Sequence, residues 1–331
     1  MGRKQFLDIN HNNIERGRGE TLTVAVLDSI YTPEDELFDI VTGVEENYVA
    51  SKEVLTTPHG QHVLHIISEY APEAIYDIHR IVIESGEFNP SNYLKAMGNV
   101  RDRSVEVVNI SAGKHHEDCN QRCRICKAAS EVVDSGTIVV AGAGNDAGGG
   151  ERKSLYCPAL GTDTIAIGSY ETRCGFDMQQ KTGSLYRTVP QSIHPPGAYW
   201  SRNSELSPEP EPTNIPFCSR QGCSEFHSCE DYQKERLSDI NVSFRQGEPD
   251  VFAPDHYIIP CEDGTPRIRT GTSFAAALVS GALADILSSV MNHRPFPTPE
   301  EVIEAIHSIP TTVEGTSQRK FNSQAVYQNL L

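Results

Sequence analysis

The strongest constraint on this 331-residue chain is a set of apolar, β-branched runs that each stop at a polar or glycine-rich turn. Thr21 to Leu27 (TLTVAVL) stops at Asp28-Ser29, and Val105 to Ile110 (VEVVNI) at Ser111-Ala112-Gly113. Thr137 to Ala141 (TIVVA) runs into Gly142-Ala143-Gly144-Asn145. Runs without a polar face fit strands covered on both sides. Ile75 to Ile83 and Thr164 to Gly168 read as two more strands. Between the strands, His59 to Glu69 places Val63, Ile66 and Ile67 at helical spacing, and Ser91–Arg101 and Cys126–Asp134 also read as helices. This alternation predicts an α/β fold of three layers around a mostly parallel central sheet. Such sheets bind ligands beyond the carboxyl ends of their strands, where Asp28, Ser111 and Asn145 all fall.

The pattern breaks from about Tyr170 to Asp239, a stretch rich in Pro, Ser, Glu and Cys that includes PEPEP at 208–212. We read it as an irregular insertion. Order resumes with strand candidates at Ile240–Phe244 and Val251–Pro254. Gly271-Thr272-Ser273 then opens a long helix of small residues (FAAALVSGALADILSSV), and a shorter helix follows over Glu300–His307. The expected organisation is an N-terminal arm at 1–20 and one domain over 21–331, interrupted by the insertion at about 170–239.

The formal charge of −17 disfavours broad binding to nucleic acid or anionic membranes. No run of 18 consecutive apolar residues suggests a membrane span. The start MGRKQFLDINHNN lacks a secretory signal, and the nine cysteines are an odd number. Together these give a cytoplasmic, reducing location as the expectation.

Four segments carry groups that work together in nucleophilic catalysis: Asp28 at a strand end, His59 opening a helix, Asn145 after a glycine-rich strand end, and Ser273 opening a helix. A serine needs an adjacent base, the base needs a carboxylate to fix its tautomer, and the developing oxyanion needs preorganised donors. Alone, each segment has a plainer reading: a turn aspartate, an N-cap Gly-Thr-Ser, or a dinucleotide fingerprint at Gly142-x-Gly144-x-x-Ala147. That fingerprint lacks its helix, because GGGERKSLYCPAL is glycine-rich and meets Pro158.

In order along the chain, VAVLDS, HGQHV, VVNISAG, IVVAGAGN and GTSFAAALVSGALA resemble the motifs of the subtilisin-like serine peptidase family. APEAIYDIHRI and SFRQGEPDVFAPD resemble segments flanking the histidine and serine motifs, so the likeness covers about 20–170 and 240–290. It implies a serine endopeptidase acting through an acyl-enzyme, with Asp28 orienting the base, His59 as general base then acid, and Ser273 as nucleophile. Asn145 would donate to the oxyanion. Ser111, Ala112 and Gly113 would pair with an extended substrate backbone, and Ala143, Gly144 and Cys157 would line the pocket for the residue before the cleaved bond.

The sequence also departs from the family. Ser29-Ile30 replaces Thr-Gly, Gln61 replaces Thr, Leu64-His65 replaces Ala-Gly, and Ala277-Leu278 stand where Pro and His are usual. A calcium loop often found after the histidine helix has no room in HIISEYAPEA. Asp28 lies only 27 residues in, so no folded inhibitory prodomain is expected before it, and restraint would fall to specificity, the arm or a regulatory partner protein. The expected partner is a protein or peptide substrate, with limited processing of a few targets. The alternative is a non-catalytic or zinc-stapled protein-binding module on the same fold.

Six cysteines form two triplets, Cys119, Cys123 and Cys126 after His115-His116, and Cys218, Cys223 and Cys229 around His227. These spacings suit metal ligands, so a structural zinc is a candidate beside disulfides and free thiols. Catalysis itself calls for no cofactor. Cys157 is read as a small apolar group at the pocket floor.

Overall fold

The computed structural model describes residues 9, 11, 22–29, 41–49, 59–82, 87–116, 119–144, 155–170, 249–254, 257–260, 266–269, 271–310 and 319–331. In chain order the elements are β1 (Thr23–Asp28), β2 (Val41–Asn47), α1 (His59–Tyr70), β3 (Ile75–Arg80), α2 (Pro90–Arg101), β4 (Val107–Ile110) and α3 (Arg124–Val133). They continue with β5 (Ile138–Gly142), β6 (Ile165–Tyr170), β7 (Val251–Pro254), β8 (Tyr257–Pro260) and β9 (Pro266–Arg269), and end with α4 (Thr272–Val290), α5 (Pro299–His307) and α6 (Ser323–Leu330). The strand candidate at Ile240–Phe244, and all the insertion after Tyr170 up to Asp239, lie outside the described residues.

Seven strands form one parallel sheet in the order β2-β3-β1-β4-β5-β6-β7. Alternate strand residues face opposite layers, as a period of two requires. Val24, Val26, Tyr76, Ile78, Val107, Ile138 and Val140 pack with α1 and α4 on one side. Ala25, Leu27, Val108, Ile110, Val139 and Ala141 pack with α2 and α3 on the other. The strand order departs from β1 in both directions, with β3 on one side and β4 on the other. That switch point puts the carboxyl ends of β1 and β4 beside a crevice suited to a ligand.

α4 fills the middle of its layer, and every residue in it but Asp285 is buried. By length and hydropathy it could cross a membrane, but its apolar surface is taken up by this core. Its small residues permit a close crossing with α1: a Cβ on Gly281 would lie 2.7 Å from the Ile67 carbonyl oxygen. Side-chain caps fix the helix starts elsewhere. Asn89 accepts from the Ser91 and Asn92 N–H groups at α2, and Thr298 with Glu301 forms a capping box at α5.

Within the segment read as an arm, Ile9 and His11 are described, and both are buried. The Ile9 carbonyl accepts from the Ser323 N–H, and His11 Nε2 lies 3.0 Å from Asp285 Oδ2. These two residues are therefore part of the domain.

Candidate active site and a neighbouring thiol cluster

β1 presents Asp28 at its last position, and the carboxylate is buried. Its Oδ1 accepts from the Ser29 N–H at 2.6 Å and the Ser29 hydroxyl at 3.1 Å, and lies 2.9 Å from His59 Nδ1. A carboxylate oxygen only accepts, so the arrangement fits a proton on Nδ1. His59 is the first residue of α1. The next N–H, that of Gly60, donates to Ser29 Oγ at 3.1 Å, so Ser29 ties the end of β1 to the start of α1. Both residues of the Asp28–His59 pair thus sit at element ends fixed by the sheet.

Ser273 is the second residue of α4 and is almost fully buried. Its hydroxyl donates to the Ser111 carbonyl oxygen at 3.0 Å, while the Ser111 hydroxyl donates to the Ser273 carbonyl oxygen at 2.9 Å. The Ser111 oxygen in turn accepts from Asn109 Nδ2 at 2.9 Å, and Asn109 Oδ1 accepts from the Ser280 hydroxyl at 3.0 Å. This buried chain links the interior of α4 to the end of β4. Phe274, next to Ser273, packs its ring on His59 with centroids 5.3 Å apart. Aspartate, histidine and serine motifs distant in sequence therefore meet at one end of the sheet.

The third wall follows β5. Gly144 has φ +106, and a Cβ there would meet the Tyr156 ring at 2.6 Å, so only glycine fits the turn. Its N–H donates to Thr272 Oγ1 at 3.1 Å, which ties this wall to the residue before Ser273. Ala143 is held by bonds to Ile167 and Tyr156. Asn145 lies outside the described residues. Beyond Ser111, Ala112 and Gly113 are half-buried, and Lys114 exchanges two backbone hydrogen bonds of 3.0 Å with Cys157.

Cys157 packs its side chain against another thiol. It is fully buried, and its sulfur lies 3.6 Å from that of Cys123. Cys126 lies 3.6 Å from Cys123 and 3.8 Å from Cys119, sulfur to sulfur. All four cysteines are free thiols. The Cys126 thiol is lowered to about 6, chiefly by its hydrogen bond with Cys157, while the same contact raises Cys157. Burial raises Tyr93, whose ring backs the cluster. Cys218, Cys223 and Cys229 lie outside the described residues.

The sequence reading did not single out Asn109 or Ser280, and it named Cys157 as a pocket residue without placing it beside the cysteine triplet. Asn109 and Ser280 have no local signal, because an asparagine in a strand and a serine in a small-residue helix look ordinary. Cys157 lies 31 residues past Cys126, beyond any local ligand spacing.

The subtilase family profile matches residues 19–321, most of the chain. The chain belongs to the subtilase family. It is a subtilisin-like serine protease, a hydrolase acting on peptide substrates. Among solved structures it resembles a lanthipeptide protease at TM-score 0.65 and 17% identity, over 99% of this chain and 93% of that one. A mutant of the protease domain of PatA superposes at TM-score 0.63 and 17% identity, covering 96% of this chain and 98% of that one. The prenylagaramide maturation protease PagA gives TM-score 0.58 and 18% identity, covering 97% and 96%. No curated protein matches. At such identities these subtilases share the fold with this one.

Proposed function

We propose that this subtilase cleaves peptide bonds with Asp28, His59 and Ser273 as its triad, in limited processing of particular peptides. The observation that carries the reading is the 2.9 Å Asp28–His59 pair, with Ser273 one residue from the ring that packs on His59. Asp28 holds the imidazole so that Nε2 can take the Ser273 proton as Oγ attacks the scissile carbonyl. The negative charge on that oxygen would be met by the Ser273 N–H at the start of α4 and by the Asn145 side-chain amide. His59 returns the proton to the leaving amine, and water then hydrolyses the acyl-enzyme with His59 again as base. None of these steps needs a cofactor, so a metal at the thiols would be structural.

Limited processing is favoured by what shares the fold, since one of the similar structures is a lanthipeptide protease and another a maturation protease. The four free thiols favour a reducing, cytoplasmic setting. A phosphonofluoridate probe tests the triad: the expected result is labelling of the wild type that disappears in Ser273→Ala. Labelling that persists in the variant, or a wild type that neither labels nor cleaves any member of a peptide library, would overturn the reading.

A further inference from the structure

The four clustered thiols have a geometry of their own. A metal with four ligands at the zinc–thiolate distance of about 2.3 Å sets its sulfurs about 3.8 Å apart along every tetrahedral edge. The edges Cys119–Cys126, Cys123–Cys126 and Cys123–Cys157 measure 3.8, 3.6 and 3.6 Å. A disulfide would require about 2.05 Å. Cys119, Cys126 and Cys157 are buried and Cys123 half-buried, so the set is closed to solvent on all but one side. Closed, all-sulfur surroundings suit a structural zinc and leave no open position for catalysis.

The backbone brings the ligands in from three places. Cys119 follows the β4 loop, where its N–H donates to the His116 carbonyl. Gln121 turns the chain with φ +69. Cys123 and Cys126 then stand at the N-cap and in the first turn of α3. Cys157 arrives from the segment after β5, held by its double backbone bond to Lys114. Arg122, Arg124 and Lys127 carry positive charges along the same segment.

His116 also brings a ring nitrogen to within 4.8 Å of the Cys119, Cys123 and Cys157 sulfurs, but it is exposed. Cys126 is buried between its two neighbours at tetrahedral spacing, which makes it the better fourth ligand.

We propose that Cys119, Cys123, Cys126 and Cys157 form a structural zinc site that locks the Ser111–Lys114 edge to the Tyr156–Cys157 wall. The metal displaces the thiol protons to solvent and forms four Zn–S bonds, with no change in oxidation state. Its link to cleavage rests on the proposed triad, because Ser111, at the head of that edge, holds the Ser273 hydroxyl. The metal site itself stands independently of that reading.

The test is metal content and cobalt substitution of the whole chain, purified under reducing conditions without chelator. A variant with Cys218, Cys223 and Cys229 all changed to serine serves as the background, which removes thiols of the second triplet as a source of metal. The expected results are about one zinc per chain and, after exchange with Co2+, the intense visible bands of a tetrahedral thiolate complex. Cys123→Ser and Cys126→Ser should each lose most of the metal, and His116→Ala should keep it. Chelation should lower the melting temperature and raise KM for a peptide substrate, while the phosphonofluoridate label on Ser273 persists. The proposal is overturned if the reduced wild-type chain carries no metal and takes up neither Zn2+ nor Co2+. It is equally overturned if mass spectrometry of the protein as isolated finds these cysteines in disulfides. Loss of metal in His116→Ala with retention in Cys126→Ser would overturn the four-thiolate assignment. Failure of Ser273 labelling with metal content intact would count against the triad alone.

Discussion

Ser273 and Ser111 exchange two buried hydrogen bonds between α4 and the end of β4, hydroxyl to carbonyl in each direction, at 3.0 and 2.9 Å. The Ser273 hydroxyl proton is thus directed at the end of β4. In the proposed triad, deprotonation by His59 would require that hydroxyl to rotate, while the Ser111 hydroxyl continues to fix the first turn of α4. Ser111→Ala should therefore act on position more than on chemistry. It removes one acceptor and one donor from a buried chain and leaves the Asn109 amide without its partner, a cost of about 1–3 kcal/mol. The expected outcome is a lower midpoint in urea and a reduced kcat, with Ser273 labelling slowed but still present. Wild-type stability in the variant would show that the chain through Asn109 and Ser280 carries little.

Asp28→Asn tests the base. The amide removes the negative charge that stands 2.9 Å from His59 Nδ1, so an imidazolium formed there loses its stabilisation. The equivalent change in the triad of an unrelated fold lowers kcat by about 10^4 with geometry intact. A loss of that order is expected here, read as kcat on a peptide substrate at neutral pH, with the melting temperature nearly unchanged. A loss below tenfold would argue that His59 works without this carboxylate.

Ser29 makes a finer test, because it stands where the family usually carries threonine. Its hydroxyl donates to Asp28 and accepts from the Gly60 N–H, so it fixes both partners of the base. Ser29→Ala should cost about 1 kcal/mol of this positioning, or roughly fivefold in kcat, with KM little changed. Ser29→Thr keeps the hydroxyl and should restore most of the rate.

These residues also show what the sequence could and could not convey. The strands of the sheet centre were legible because burial on both faces leaves unbroken apolar runs, and Asp28 and Ser111 fell at their ends for the same reason. β2 was not legible: Val41–Asn47 is almost wholly exposed and is held at the sheet edge by backbone pairing with β3. Its side chains carry no pattern, since nothing buries them. α6 was missed because eight residues offer few apolar positions, and its start depends on a bond from the Ala325 N–H to Asn322. The first cysteine triplet was visible as local spacing. Its fourth sulfur depends on the Lys114–Cys157 pairing, which is tertiary and leaves no periodic trace.

Gly281→Ala probes the α1–α4 crossing that places His59 and Ser273 on one framework. The new methyl would lie 2.7 Å from the Ile67 carbonyl oxygen and 2.9 Å from the Tyr70 Cβ, and the backbone oxygen cannot turn away. The helices must separate, at about 1–3 kcal/mol for an overpacked core. The midpoint of urea unfolding should fall accordingly, with an unchanged m-value if both states keep their compactness.

His79 provides a pH test of the fold. It is fully buried on β3, its Nδ1 lies 3.2 Å from the Tyr48 hydroxyl, and its pKa is lowered to about 4, first by burial and then by the Arg103 charge. The unfolded chain, with a value near 6.5, binds this proton more readily than the folded one throughout the interval between the two. The stability this neutral ring contributes is therefore complete above about pH 6.5 and declines as the pH falls towards 4. A separation of this size corresponds to at most about 3 kcal/mol. Urea unfolding at a series of pH values should show that decline in the wild type, and His79→Gln should flatten it. An equal slope in the variant would assign the acid sensitivity to other groups.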